Sequence, residues 1–388
     1  MTSSLVGSEM CIRDRYYPYI PFMASGTAGN WLFVDGEKSL YINPAGLVSS
    51  DLTWEKASTF NIGLDFTMLN QRLDFSFDWY QRTTSDMLVK VEYPEVLGTT
   101  APPANKAELR TRGWEVSVKW NDRIGNDFSY DLGFILSDSQ AEITKYENPS
   151  GTLSDYYVGQ KIGEIWGYET EGFYQSDTDV QNHADQSKLG ANWAPGDIMY
   201  KDLDGNKKIN NGSNTLDDHG DLKVIGNTTP RYQYGITANM SYKNVYLNVF
   251  FQGIGKRDFW PSSQPFWPVA TQYYNTQKWF VTDSWSEDNR DAYFARPIAR
   301  ETKNQQKQTK YLQDASYCRL KNLTVGYDFP KSWLSFLHVA KAGVYFSAEN
   351  LFEFTNVKGA YDPEAAGKNG TMVYPFQRTY SFGLNVTF

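Results

Sequence analysis

The chain is 388 residues long and sets 37 Lys and Arg against 45 Asp and Glu, for a formal net charge of −8 and a pI near 5.1. That balance excludes nucleic acid as a partner, because affinity there comes from Lys and Arg neutralising phosphates. Aromatic residues make up 16% of the chain, with 12 Trp and 27 Tyr, yet mean hydropathy is −0.56 and no stretch approaches the roughly 18 to 20 apolar residues of a transmembrane helix.

In chain order, the first segment is anomalous. Ser4 to Arg15 has no periodicity and lacks the basic start and apolar core of a signal peptide. It resembles a translated transposase sequencing adapter, so residues 1–15 are expected to be non-native, with the gene continuing upstream. Cys11 and Cys318 are the only cysteines, which leaves neither a disulfide framework nor a cysteine zinc site.

The first strand is read at Phe60, Ile62, Leu64, Phe66 and Met68, alternating with Asn61, Gly63, Asp65 and Thr67. After a turn at Asn70-Gln71 the pattern resumes as Leu73, Phe75, Phe77 and Trp79, which makes a hairpin. Further runs follow at Trp114 to Trp120, Phe128 to Leu136, Tyr232 to Tyr242, Val245 to Phe251, Leu323 to Tyr327, Val344 to Ala348 and Tyr380 to Phe388. Most approach the roughly 9 to 11 residues of a tilted membrane strand.

Connection lengths alternate. Short ones fall at Leu69 to Arg72, Asn121 to Asn126, Lys243-Asn244 and, somewhat longer, Phe329 to Lys341. Long ones lie at Thr84 to Glu108, about Glu142 to Arg231, Gly253 to Ala315 and Leu351 to Gln377. Short periplasmic turns and long extracellular loops are the rhythm of outer-membrane barrels. The expected fold is therefore all-β: an antiparallel transmembrane β-barrel, partial, with outer-membrane lipid on one face of each strand. Such a sheet must close, since unpaired N–H and C=O groups in hydrocarbon cost several kcal/mol each. Roughly nine strands are too few for these loops when large plugged barrels use about 22, so further strands and a plug are expected outside the chain. Residues 16–56 are expected to be an extracellular loop region and residues 57–388 the carboxyl-terminal barrel part. A soluble, secreted β-sandwich binding glycans through surface aromatics fits the same composition and stands as the alternative.

Several stretches resemble those of SusC/RagA-type TonB-dependent transporters, and in the expected order. They are Leu52 to Lys56, Ala107 to Glu115, Gly159 to Phe173, Gly196 to Asn206, Ile225 to Tyr232, Leu320 to Tyr327 and Gln377 to Gly383. The terminal Phe388, behind Tyr380, Phe382, Leu384 and Val386, is similar to the signal read by the barrel assembly machinery. The resemblance implies energised import of oligosaccharides or peptides across the cell outer membrane, beneath a SusD-like surface lipoprotein. It further implies that the TonB complex pulls on a plug domain, which this sequence does not contain.

Two sets of candidate site residues remain. Asp202, Asp204 and Asn206 resemble the front of a calcium loop, since oxygen ligands two residues apart suit a hard cation. Lys207 stands where Gly is wanted and Ser213 where the bidentate Glu is wanted, so a polar Asx-rich turn is the competing reading and no other cofactor is expected. Trp260, Phe266, Trp267, Tyr273, Tyr274, Trp279 and Trp285 crowd one long loop and could meet substrate or a partner lid, or pack the loop on itself. Nothing points to an enzyme: His183, His219 and His338 show no metal spacing, and there is no Gly-x-Ser-x-Gly elbow.

Overall fold

The computed structural model describes residues 23, 25–32, 38–43, 45, 47–49, 52–90, 102–263, 266–269, 276–334, 339–359, 361–366 and 376–388. Nine long strands build one antiparallel sheet: β3 (Lys56–Met68), β4 (Leu73–Lys90), β5 (Pro103–Ile124), β6 (Phe128–Lys145), β11 (Arg231–Tyr242), β12 (Val245–Lys256), β15 (Tyr317–Asp328), β16 (Lys341–Glu349) and β18 (Thr379–Thr387). They neighbour one another in that order, and the short β17 (Glu353–Thr355) adds to β15. The outermost strands, β3 and β18, do not pair with each other, so the sheet is an open arc of barrel wall. In residues 16–56 lies a separate hairpin, β1 (Ser25–Leu32) with β2 (Lys38–Ile42).

Register shows which face meets lipid. One row of directly opposed residues runs Met68, Leu73, Trp120, Leu132, Ala238, Val249, Leu323, Ala348 and Tyr380, crossing all nine strands without a polar member. The row one residue away reads Thr67, Asp74, Lys119, Gly133, Thr237, Phe250, Asn322, Glu349 and Thr379. Because successive side chains alternate faces, a slip of one residue in any strand would break both rows. The apolar face stays uncovered, with Phe382 at 83% and Phe60 at 60% exposure. A β-sandwich would require a second sheet on that face, and among the described residues there is none.

The apolar band has a definite top. Trp79 opposes Trp114, and the next registered positions on that face are Gln81, Arg112 and Gln140, with Arg112 Nε donating to Gln81 Oε1 at 2.8 Å. Tryptophans followed by polar residues mark an interface girdle. Beyond it β4, β5 and β6 continue into water. At roughly 3.3 Å per residue the 22 residues of β5 span on the order of 70 Å, well over the roughly 25 Å band.

This corrects one boundary: the connection expected from Thr84 to Glu108 begins only after Lys90 and ends at Pro103. Ser85-Asp86 stays within the strand: Ser85 opposes Lys56 on β3, and the β5 ladder shifts register between Thr84 and Met87, with Asp86 at φ 56°. The expected strand end near Glu142 likewise moves to Lys145.

All short connections lie at one end. Leu69, Asn70 and Gln71 turn with positive φ, Gly125 and Lys243 do the same in the next two turns, and α3 (Lys331–Leu334) fills the fourth. Lys341 opposes Thr387, which puts Phe388 at this turn end, as the alternating rhythm requires. The long loops gather at the other end and fold rather than wander. The connection between β6 and β11 forms β7 (Glu164–Tyr168) with β10 (Leu222–Asn227), β8 (Thr170–Phe173) with β9 (Ile198–Tyr200), and α1 (Asp177–Asn182). That between β12 and β15 contributes β13 (Asp258–Phe259) with β14 (Gln313–Asp314) and α2 (Lys278–Thr282). Among the described residues no helix is long and apolar enough to cross a membrane.

Candidate functional site

The polar face of the sheet is a hydrogen-bonded wall. Asn239 donates to Asp131 at 3.2 Å, Lys119 pairs with Asp131 at 3.2 Å, and the hydroxyls of Ser129 and Ser241 meet at 2.9 Å. Near the turn end it cradles a cavity of about 600 Å³ lined by residues such as Asn121, Asp131, Asn239 and Asn248. Side chains of this kind line a water-filled or plugged lumen.

Above the wall the two longest loops share a core. Its hub is Asp197, which has no exposed surface. Arg296 donates to both carboxylate oxygens at 2.8 and 2.9 Å, Asn304 donates at 2.9 Å, Lys303 pairs at 2.9 Å, and the Ala194 amide donates at 3.0 Å. Burial pushes the Asp197 carboxyl up, but the hydrogen bonds from Arg296, Asn304 and Lys303 outweigh it and leave the group below the ordinary carboxylate range. Lys303, 2% exposed, gives its other protons to the carbonyls of Ala191 and Asn192 at 2.9 and 2.8 Å, and its ammonium sits 4.8 Å from the Trp193 ring centre. Around this hub, burial pushes Tyr168 and Tyr293 up to about 12 and drives Lys310 down.

The candidate aromatics lie in and against this core. Phe266, Trp267 and Trp285 are buried, and Phe266 meets Trp267 edge-on at 4.8 Å. Trp260 and Trp279 are half-buried against it, with Trp279 stacked on Tyr293 at 5.0 Å. Tyr273 and Tyr274 fall outside the described residues. Phe266 and Trp267 pack against each other inside this core, and Trp260 lines an open cleft.

At the calcium-like motif the structure substitutes one member of the trio. Carboxylate oxygens of Asp202, Asp204 and Asp221 lie within 4.8 Å of one another and could hold a hard cation. Asn206 instead donates to Asp204 at 2.7 Å and accepts from the Lys208 amide at 2.7 Å. Asp202 accepts from the amides of Gly205 and Lys207, and buried Asp221 from those of Leu203 and Asn210. Burial raises Asp202, but the Lys207 and Gly205 amides overcome it and hold the group low. Lys207, where glycine is wanted, adopts φ 62°. His183 and His219 are engaged locally, with the Tyr174 hydroxyl and the Gly220 carbonyl, and His338 is outside the described residues.

Sequence reasoning missed a second hub. Arg319 on β15, 1% exposed, pairs with Glu353, with Asp362 at 2.8 Å and with Glu364 at 2.5 Å, while Lys321 holds Glu364 at 2.9 Å. This ties the last long loop to the barrel wall. Arg319 sits one residue before the family-like stretch Leu320 to Tyr327, and Asp197 sits inside Gly196 to Asn206, so both had a signal, though not one that names partners.

The family described as TonB dependent receptor-like, beta-barrel, matches residues 15–351. TonB-dependent receptor P3 of Formosa agariphila is 30% identical over 366 residues, covering 88% of this chain and 35% of that protein. TonB-dependent receptor SusC of Bacteroides thetaiotaomicron is 27% identical over 355 residues, covering 88% and 32%. The solved RagAB peptide transporter superposes with a TM-score of 0.69 at 24% identity, over 96% of this chain and 39% of that one. The chain spans about a third of the length of the curated relatives it matches. A matched span of residues 15–351, over a wall whose two faces are sorted by register, shows that the chain belongs to the TonB-dependent receptor-like β-barrel family.

Proposed function

We propose that this chain is the carboxyl-terminal barrel part of a TonB-dependent importer of large nutrients, oligosaccharides or peptides, spanning the outer membrane with its strands. The observation that carries the reading is the unbroken apolar row from Met68 to Tyr380 beside a row from Thr67 to Thr379 that is polar except at Gly133 and Phe250, with the folded loops gathered at one end. An apolar exterior and polar interior belong to a barrel that encloses a passage. The turn end, with Phe388, faces the periplasm and the loops face outward, where a SusD-like lipoprotein covers them. The relative named TonB-dependent receptor SusC supports the import role, and the fold shared with the RagAB peptide transporter agrees with it. Energy comes from the TonB complex acting on a plug domain in the lumen. The reading assigns no enzymatic step.

Deleting the gene in its host is expected to abolish growth on one large nutrient while growth on the corresponding monomers persists. Tagged receptor should sediment with outer membranes, migrate heat-modifiably in detergent gels and co-purify with a surface lipoprotein. A deletion strain that grows normally on every polymeric nutrient of its host would overturn the import reading.

A further inference from the structure

Where the two long loops meet, a cleft of about 540 Å³ opens between β7 and the chain at 305–307. The Tyr168 amide donates to the Lys307 carbonyl at 2.8 Å and Thr309 donates back to the Tyr168 carbonyl at 3.1 Å. Gly167 permits that approach: a Cβ there would sit 2.5 Å from the Lys307 carbonyl oxygen. The cleft is a built feature of the loop core.

Its lining departs from the rest of the protein. In a chain with 45 acidic side chains, no carboxylate lines the cleft, while Lys188 and Lys307 do. Both lysines are exposed, and among the described residues neither ammonium has an ion-pair or hydrogen-bond partner. Trp166 and Trp260 form two of its walls, and Asn211, Gln305 and Gln306 bring side-chain amides. Trp166 turns its indole N–H away to the Tyr157 hydroxyl at 3.1 Å, and Trp260 leans on buried Trp267 at 5.9 Å. Each indole is thus anchored by its neighbours, Trp166 also against the His219 ring at 5.5 Å, and lines the cleft with the rest of its ring.

Aromatic faces suit the C–H faces of sugar rings, amides suit hydroxyls, and two ammonium groups in one cleft without competing carboxylates suit anions. Peptide capture by strand addition is disfavoured, because β7 is paired on one edge with β10 and bridged on the other at Gln308. We propose that this cleft binds a segment of anionic oligosaccharide, with pyranose rings on Trp166 and Trp260 and a carboxylate or sulfate ester at Lys188 and Lys307. The proposal rests on the import reading and narrows its substrate to acidic glycans.

The test is calorimetric titration of the intact receptor in detergent with four probes: an oligogalacturonate, a sulfated galactan oligosaccharide, a neutral xylo-oligosaccharide and a glutamate-rich peptide. At least one acidic oligosaccharide should bind, and Lys188→Gln/Lys307→Gln should weaken it about tenfold, the scale of two exposed charge contacts. Which of the two binds distinguishes a uronate from a sulfate ester, and added salt should erode wild-type affinity more than that of the double variant. Both lysines are on the surface, so the variant keeps its fold; Trp166→Phe, which keeps a ring, should weaken binding to a lesser degree. Unchanged affinity in the double variant overturns the proposal, as does glutamate-peptide binding as tight as that of either sugar. Growth lost on gene deletion but intact in the lysine variant sinks the cleft and leaves import standing. Lysine-dependent binding without any growth defect on deletion does the reverse.

Discussion

Asp197→Ala is the most informative single perturbation. Among the described residues the change removes the only carboxylate paired with Lys303, an ammonium 2% exposed, and leaves it two carbonyls and the Trp193 ring. It also strands the Asn304 amide and the Ala194 N–H, which donate to Asp197 at 2.9 and 3.0 Å. Arg296, 30% exposed at its side chain, can rehydrate, so its share of the loss is small. Breaking a buried pair from one side costs about 3–5 kcal/mol, enough to open a loop core without touching the barrel wall. Limited proteolysis and near-UV circular dichroism report on the loops, while heat-modifiable migration reports on the barrel. The variant should be cut within 146–230 or 257–316 at protease concentrations the wild type resists, with migration unchanged. The companion Asp197→Leu/Lys303→Met, which removes both charges, should recover much of the protection. Wild-type resistance in Asp197→Ala, or no recovery in the pair, would refute the hub.

Other outcomes follow from the same structure. Because the Asp197 carboxyl titrates below its ordinary 3.8, its contribution is whole above that value and is lost as pH falls through the lowered one. Loop protection should therefore hold at neutral pH and fade only in strong acid, and Asp197→Asn should flatten that acid response. Ala238→Arg, on the lipid row, should cost about 2–4 kcal/mol in urea unfolding from vesicles, whereas Asn239→Arg next to it should cost far less; equal costs would reverse or void the face assignment. Removing Phe388, 91% exposed at the turn end, should lower the heat-modifiable fraction in outer membranes several-fold, and unchanged levels would deny the terminal residue a part in assembly. Millimolar calcium should leave the melting temperature unchanged, since amide donors already hold Asp202 and Asp221. An upward shift abolished by Asp204→Ala would show an ion there.

How legible each feature was depends on the range of the interaction behind it. The strands at Phe60 to Met68 or Tyr380 to Phe388 announce themselves because lipid on one face and lumen on the other demand alternation with a period of two, which every short window repeats. The turn-end position of Phe388 follows by counting connections. The rise of β4 to β6 above the membrane was hidden, because Ser85-Asp86 has the composition of a loop and only its neighbours in the sheet, Lys56 on β3 and the β5 ladder that resumes at Met87, keep it in a strand. The loop aromatics were legible as a crowd and not as a core. A tryptophan that stacks on substrate and one that packs a loop have the same local sequence, and only the placement of Phe294 and Tyr311 around Phe266 and Trp267 separates them.

By itself, then, the sequence determined the wall: strand number, face polarity, loop rhythm and the terminal strand are short-range consequences of alternating solvent. Only the tertiary structure decided the loop chemistry. Asp197 meets Asn304 across 107 residues and Arg319 meets Glu364 across 45, and the Lys188–Lys307 cleft exists only where two loops from separate strands are brought together. No periodicity encodes such pairs; burial that leaves charge no partner but another distant charge selects them.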